Sequence, residues 1–416
     1  MGTRPHSCQT HHQRLPQGEN LCKKQCHRSG NHLPYSVKKI TMAGLYIHIP
    51  FCTQKCPYCN FFSLASTRLI PDYVEAVCDE IALRKDYLQE PVRTIYFGGG
   101  TPGLLRAQEI ERILAAISRH LRNESEENTL EVNPNNVNHR YLQALQKVGI
   151  NRLSIGIQSL NNEELRWLHR THTAEQAITS IQQARESGFN NLSVDMIYGI
   201  PIQSQQSWER QLAQILALRP DHLSAYALTV EPGTPLYQRI QKGKLKDVDD
   251  THTRACFFSL QHLTREAGYP QYEVSNFALP GKRSKHNASY WEQVPYWGIG
   301  TSAHSYDRVS RQWNVASVPR YIQQIKEGKI PAEREVLSPA DRYNEYVMTR
   351  LRTKKGCDLV QISHLFGEKA MQATLHEAQK YITKGLLSLQ NHHLCTTDKG
   401  WFHLDGIAAS LFMQNP

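Results

Sequence analysis

From Leu45 onward, short runs rich in β-branched and aromatic residues alternate with helix-length amphipathic stretches, the pattern of βα units feeding a parallel sheet. Strands are predicted at 45–49, 93–97, 129–132, 152–157, 191–198 and 222–230, and helices at 71–88, 107–121, 140–148, 174–187 and 204–218. Gly149 and Gly188 fall just past two of these helices, where a left-handed cap residue is expected. The repeats define an α/β fold with functional side chains at the C-terminal ends of the strands. Periodicity alone does not choose between an open doubly wound sheet and a complete or partial barrel.

The rhythm breaks after about residue 235, and the stretch 268–305, rich in Tyr, Trp, Asn, Gly and His, reads as irregular and surface-lining. Helical periodicity returns at 341–352 and 368–384, followed by a two-stranded wing around Leu386 and Leu394. The expected organisation is a core over 42–280, an irregular connecting segment over 281–335 and a small helical and winged domain over 336–416.

With 40% hydrophobic residues among 416, the chain can fill a sizeable core. No apolar stretch approaches the roughly 18 to 20 residues of a membrane-spanning helix, so membrane association is expected to be peripheral at most. The net charge of +10 invites a nucleic-acid reading, but residues 1–41 hold seven Lys or Arg against Glu19 alone and supply +6 of it. The remaining +4 withdraws that reading, and nucleic acid is not expected among the partners. The same segment scatters His6, His11, His12, His27 and His32 without periodicity and contains neither a signal-peptide apolar region nor an amphipathic transit helix. It reads as a non-native or disordered extension, with Met42 as the initiator; a metal-binding tail on Cys22-x3-Cys26-His27 is the alternative. Of the ten cysteines only Cys52, Cys56 and Cys59 cluster outside that segment, which argues for a cytoplasmic protein using thiols for metal or redox chemistry rather than a disulfide framework.

Those three cysteines form Cys52-x3-Cys56-Pro-Tyr-Cys59 directly after the first strand. Three thiolates on one tight loop suit three irons of a cubane cluster and leave a fourth iron open to a small chelating molecule, because position 61 is Phe61. A zinc site, which needs a fourth Cys or His, and inert cysteines are the alternatives. Gly98-Gly-Gly-Thr-Pro102 closes the second strand, and its missing side chains leave main-chain groups free to meet a ligand, unless it is a plain tight turn. Glu131, Gln158 and Asp195 then recur at the tips of successive apolar strands. Each taken singly fits a satisfied core polar group, but three around one face suggest a shared ligand.

Taken together with Tyr46-Ile-His-Ile-Pro-Phe-Cys52, Glu131-Val-Asn-Pro, Ser154-Ile-Gly-Ile-Gln-Ser, Leu168-His-Arg170 and Val194-Asp-Met-Ile-Tyr-Gly-Ile-Pro, these motifs resemble the radical S-adenosylmethionine (SAM) proteins. Within that superfamily the chain from about Gly44 is similar to the oxygen-independent coproporphyrinogen III oxidase family. The resemblance implies a partial (β/α)6 barrel, a [4Fe-4S] cluster on Cys52, Cys56 and Cys59, and SAM contacted by Tyr46, Tyr58, Gly99, Gly100, Thr101, Glu131, Gln158, Arg170 and Asp195. Oxidases of the family usually carry a further Cys where Phe61 stands, and a structured N-terminal arm. His286-Asn-Ala-Ser-Tyr-Trp291 instead resembles the HemW-type heme chaperones, which implies heme as cargo and acceptor hemoproteins as partners. On that resemblance His286 is a candidate axial ligand for heme iron, with Tyr290 and Trp291 as aromatic surface and His304 as a second residue of the same cavity. A homodimer is the oligomer to test. The competing reading is an enzyme, a coproporphyrinogen III oxidase or another radical SAM catalyst.

Overall fold

The computed structural model describes residues 42–413, so the expectations for residues 1–41 lie outside the described residues. The βα repeats run in the order β1 (Ala43–Ile49), α1 (Ile70–Leu83), β2 (Val92–Gly99), α2 (Ala107–His120), β3 (Asn123–Val132), α3 (His139–Lys147), β4 (Arg152–Gln158), α4 (Asn162–Trp167), α5 (Ala174–Glu186), β5 (Leu192–Tyr198), α6 (Gln205–Ala217) and β6 (His222–Ala227). Strands β1 to β6 lie side by side in sequence order and pair in parallel, which is the (β/α)6 arrangement expected, open rather than closed. Burial on both faces explains the nearly unbroken apolar run of β1. Thr173 and Ser204 cap α5 and α6 by accepting from Gln176 N–H and Ser207 N–H. Gly149 and Gly188 take the expected left-handed conformation, with φ of +99° and +93°.

Two boundaries differ most from the sequence reading. Helix α1 stops at Leu83, where Arg84 N–H bonds Glu80 O and the Arg84 side chain turns to Glu80 and Gln312. Strand β3 begins at Asn123, through a polar stretch that carries no apolar alternation. Arg93 of β2 bridges Glu124 and Glu126 there, so cross-strand charge pairing supplies what hydrophobicity does not.

The larger correction concerns the stretch read as irregular. After α7 (Pro235–Gln241), α8 (Asp250–Glu266) and β7 (Asn276–Ala278), the chain forms α9 (Lys285–Trp291), β8 (Tyr296–Ile299), β9 (His304–Tyr306), β10 (Ser310–Asn314), α10 (Val318–Lys326) and β11 (Ala332–Val336). Strand β8 pairs in parallel with β1, and the full sheet runs β11-β10-β9-β8-β1-β2-β3-β4-β5-β6-β7. Residues 281–335 therefore extend the core sheet; Trp297 and Ile299 are fully buried in it. Strands of three to five residues are too short to show a period, and their glycines serve close packing: a Cβ at Gly298 would sit 2.0 Å from His304 O.

The C-terminal part comprises α11 (Pro339–Leu351), β12 (Cys357–Asp358), α12 (Leu359–Phe366), α13 (Glu368–Thr383), β13 (Leu387–Gln390), β14 (His393–Thr396) and α14 (Leu404–Ser410), with the predicted wing as a three-stranded sheet β12-β14-β13. It is tied to the core by Val274 N–H to Arg352 O at 3.0 Å and Lys354 N–H to Tyr272 O at 3.2 Å. No helix among the described residues is long and apolar enough to cross a membrane.

Candidate functional site

The cysteine loop begins where β1 ends. Cys52 N–H to Leu64 O (2.9 Å) and Leu64 N–H to Pro50 O (2.7 Å) clasp its two ends, and Cys59 N–H donates to Cys56 O inside it. Cys52, Cys56 and Cys59 are free, partly buried thiols on the wall of one cavity of ≈ 520 Å³. Burial pushes the Cys52 and Cys59 thiols up, and neighbouring sulfurs push the same way, so a cationic group is needed to hold them as thiolates. Thr101 Oγ1 donates to Cys52 Sγ and Arg170 Nη1 to Cys56 Sγ, each at 3.7 Å. Among the described residues no group of three or more His, Cys, Asp or Glu side chains is placed to hold a metal ion. Three thiols on one loop and one cavity wall suit a cluster in which each meets its own iron.

The N–H groups of the glycine run are already used within the protein. Gly100 N–H bonds Ile49 O at 2.8 Å, Thr101 N–H bonds Phe51 O at 2.7 Å and Gly99 N–H bonds Glu131 Oε2 at 3.2 Å, so these donors are not free for a ligand. A Cβ at Gly100 would lie 2.7 Å from Phe51 O. The glycines let the second strand's tip press against the cysteine loop, which fixes that loop in place.

Tyr58, Gly99, Gly100, Thr101, Glu131, Gln158, Arg170 and Asp195 all line the cavity of the three cysteines. Arg170 arrives through a Schellman turn: His169 takes φ +55°, His169 N–H bonds Arg166 O, and Arg170 N–H bonds Leu165 O. Its guanidinium donates to Asn133 Oδ1 at 2.6 Å and Gly156 O at 2.9 Å. Glu131 accepts from Tyr96 OH at 2.8 Å, and burial pushes its carboxyl up to about 7. Asp195 accepts from Ser154 Oγ at 3.1 Å, and burial raises its proton affinity as well. Sequence reasoning did not single out Tyr96, Asn133 and Ser154 as site residues; all three lie inside or beside quoted motifs.

Tyr46 does not line that cavity. It lines an adjoining one of ≈ 500 Å³, together with Phe61, Tyr96, Tyr226, Tyr290 and Trp291, and the two share Phe61, Tyr96, Gly99, Glu131, Tyr226 and Asn287. His286 also lines this second cavity, but it is 1% exposed and both of its ring nitrogens are engaged. Nδ1 shares a hydrogen bond with Thr94 Oγ1 at 2.8 Å and Nε2 with Tyr290 OH at 2.8 Å, while the ring stacks on Tyr96. Burial lowers its pKa to about 3, so the imidazole is neutral. As placed here it offers no free nitrogen to an iron. His304 does not join it; it is exposed and lines a third hollow of ≈ 370 Å³ with Tyr46, Phe61 and Tyr290. Phe61, 59% exposed, borders all three spaces.

Comparison with known proteins supplies the family. Residues 46–214 match the radical SAM superfamily and residues 337–403 the HemN C-terminal domain. The chain is 34% identical over 358 residues to the heme chaperone HemW of Lactococcus lactis, covering 86% of this chain and 93% of that one. The chain belongs to the HemW-type heme chaperone family. HemW of Bacillus subtilis is 33% identical over 331 residues, covering 78% of this chain and 87% of that one. The solved coproporphyrinogen III oxidase (HemN) of Escherichia coli, a radical SAM enzyme, superposes with a TM-score of 0.77 at 24% identity, over 89% of this chain and 90% of that one, and so shares the fold. Membership of the HemW-type family implies a [4Fe-4S] cluster and SAM, and the donor set fits both: three thiols on one wall, with Arg170 and two carboxylates around the space beside them.

Proposed function

We propose that this protein is a heme carrier that binds heme in the aromatic cavity, next to a [4Fe-4S] cluster and SAM, and hands it to acceptor hemoproteins in the cytoplasm. The observation that carries the reading is the second cavity, walled by aromatic rings and sharing Tyr96, Gly99 and Glu131 with the cysteine cavity. A flat apolar macrocycle suits such a lining. The names of the HemW relatives support the same role.

Cys52, Cys56 and Cys59 would hold the cluster, and the polar ring from Tyr58 to Asp195 would hold SAM, with Tyr46 just across the shared wall. When bound, the cluster supplies single electrons to the sulfonium of SAM. Arg170 supplies fixed positive charge beside Cys56 and next to the carboxylates, which orients a zwitterionic ligand. His286 is kept neutral, the form that ligates iron, but ligation requires Nε2 to release Tyr290 OH. The complete polar ring favours a second reading, turnover as a radical SAM enzyme, although Phe61 at the position of the oxidases' further Cys weighs against coproporphyrinogen oxidation.

Anaerobic titration of hemin into cluster-reconstituted protein tests this. The parent should give a saturable, near-stoichiometric Soret change that His286→Ala loses and Tyr290→Phe, which frees Nε2, retains. A parent that never saturates sinks the carrier reading and moves turnover assays on coproporphyrinogen to the front.

A further inference from the structure

The aromatic cavity has one polar wall whose groups the protein leaves unpaired. Glu273 is 0% exposed; one carboxylate oxygen, Oε1, accepts from Ser275 N–H at 3.2 Å, while Oε2 has no hydrogen-bond partner. The Asn276 amide lies close enough to lower this carboxyl's proton affinity but outside hydrogen-bond geometry of Oε2, and Asn276 Oδ1 is itself unpartnered. Trp291 Nε1 on the same lining has no acceptor. Buried polar groups left unpaired cost stability, and all three belong to residues that line this one cavity, so a ligand that reaches them would recover that cost.

Arg352 completes this wall from the end of α11. Its guanidinium lies 6.0 Å over the Trp291 ring and also pairs with Asp405 of α14. The main-chain bonds between 272–274 and 352–354 hold this cation and Glu273 on one rigid junction. The rest of the lining is largely aromatic, with Glu131 and Asn287 on the side shared with the cysteine cavity, so the cavity combines an aromatic space with one cationic, donor-bearing edge.

We infer that this wall is a carboxylate subsite, at which a flat apolar ligand bearing acidic side chains places its carboxylates on Arg352 and Trp291 Nε1, with Glu273 as the neighbouring hydrogen-bond group. The inference rests on the heme reading and adds the direction of the cargo: propionates toward the C-terminal part, the opposite rim toward Tyr46 and the cysteine loop. The groups around Glu273 agree. Arg352 is the cation on the lining; Tyr226 of β6, Tyr272 on its own segment and the neutral His286 of α9 bring no charge, and Glu131 of β3 belongs to the wall shared with the cysteine cavity. Burial pushes the Glu273 carboxyl up to about 7, which lets it donate to a carboxylate near neutral pH rather than repel it.

Comparing hemin with hemin dimethyl ester, whose carboxylates are blocked, decides the point by equilibrium titration of full-length protein. The parent should prefer the diacid by about tenfold or more, as a charge-assisted pair would give. Arg352→Gln should abolish that preference while leaving ester binding in place. Asp405→Asn, which cuts the same contact between α11 and α14 without touching the cavity, should keep it. Equal affinity of the parent for hemin and its ester overturns the carboxylate subsite while the carrier reading stands, as does a preference that survives Arg352→Gln. If hemin itself fails to saturate the parent, both fall together.

Discussion

The two cavities that meet at Tyr96, Gly99 and Glu131 treat their polar groups in opposite ways. Around the cysteines, Glu131, Asp195, Asn133 and Arg170 are bonded to one another's neighbours before any ligand arrives, with Arg170 Nε the exception. In the aromatic cavity, Glu273 Oε2, Asn276 Oδ1 and Trp291 Nε1 are bonded to nothing. The first arrangement holds charge and geometry fixed, as a resident cluster and cosubstrate require. The second leaves polar groups for an occupant to satisfy, so part of its burial cost is recovered only on binding, which suits a cargo that must enter and leave.

The sharpest way to break the comparison is to destroy one cavity's function and read the other. Cys56→Ser should remove essentially all iron and sulfide after anaerobic reconstitution, yet leave hemin affinity within about threefold, a change under 1 kcal/mol. Loss of hemin binding in that variant would mean the two spaces act as a single site. Next in size, Arg170→Ala removes the donors to Cys56, Asn133 and Gly156 and should weaken SAM about ten- to hundredfold in equilibrium dialysis. Unchanged SAM affinity would separate Arg170 from the cosubstrate.

Glu273 allows a test without ligand. Its carboxyl is raised from 4.5 to about 7 by burial, so between those values the unfolded chain gives up a proton that the folded protein keeps. Stability from this group therefore falls as pH rises from about 4.5 to about 7 and is level above that, a loss on the order of 1–3 kcal/mol. Urea unfolding at pH 5 and pH 8 should show a smaller difference in Glu273→Gln than in the parent; an identical difference would mean the carboxyl titrates normally. The smallest effect is expected for Tyr290→Phe, which loses one hydrogen bond to His286 and about 1 kcal/mol. A much larger loss would make Tyr290 a structural keystone rather than the movable partner of a ligating histidine.

The cysteine cavity was largely legible because its residues sit in contiguous motifs at strand ends or in the loops and turns that follow them, and strand order follows chain order. Glu131, Gln158 and Asp195 announced themselves as polar residues in apolar strands. Tyr46 was harder to place, since neighbouring residues of β1 face different spaces and only the packing of Tyr96 shows which one it meets. Glu273 and Arg352 were invisible as a pair: 79 positions apart, they meet only because the end of α11 bonds to the segment before β7.

The amino-acid sequence by itself determined the βα alternation, the cysteine loop and the family, since these follow from local periodicity and the spacing of chemically distinctive residues. Only the tertiary structure decided that 281–335 extends the sheet, that N–H groups of the glycine run seat the cysteine loop, that His286 has both nitrogens occupied, and that a cation from the C-terminal part lines the aromatic cavity. Each of those outcomes depends on contacts between segments far apart in the chain, and such contacts leave no period or spacing for a sequence to display.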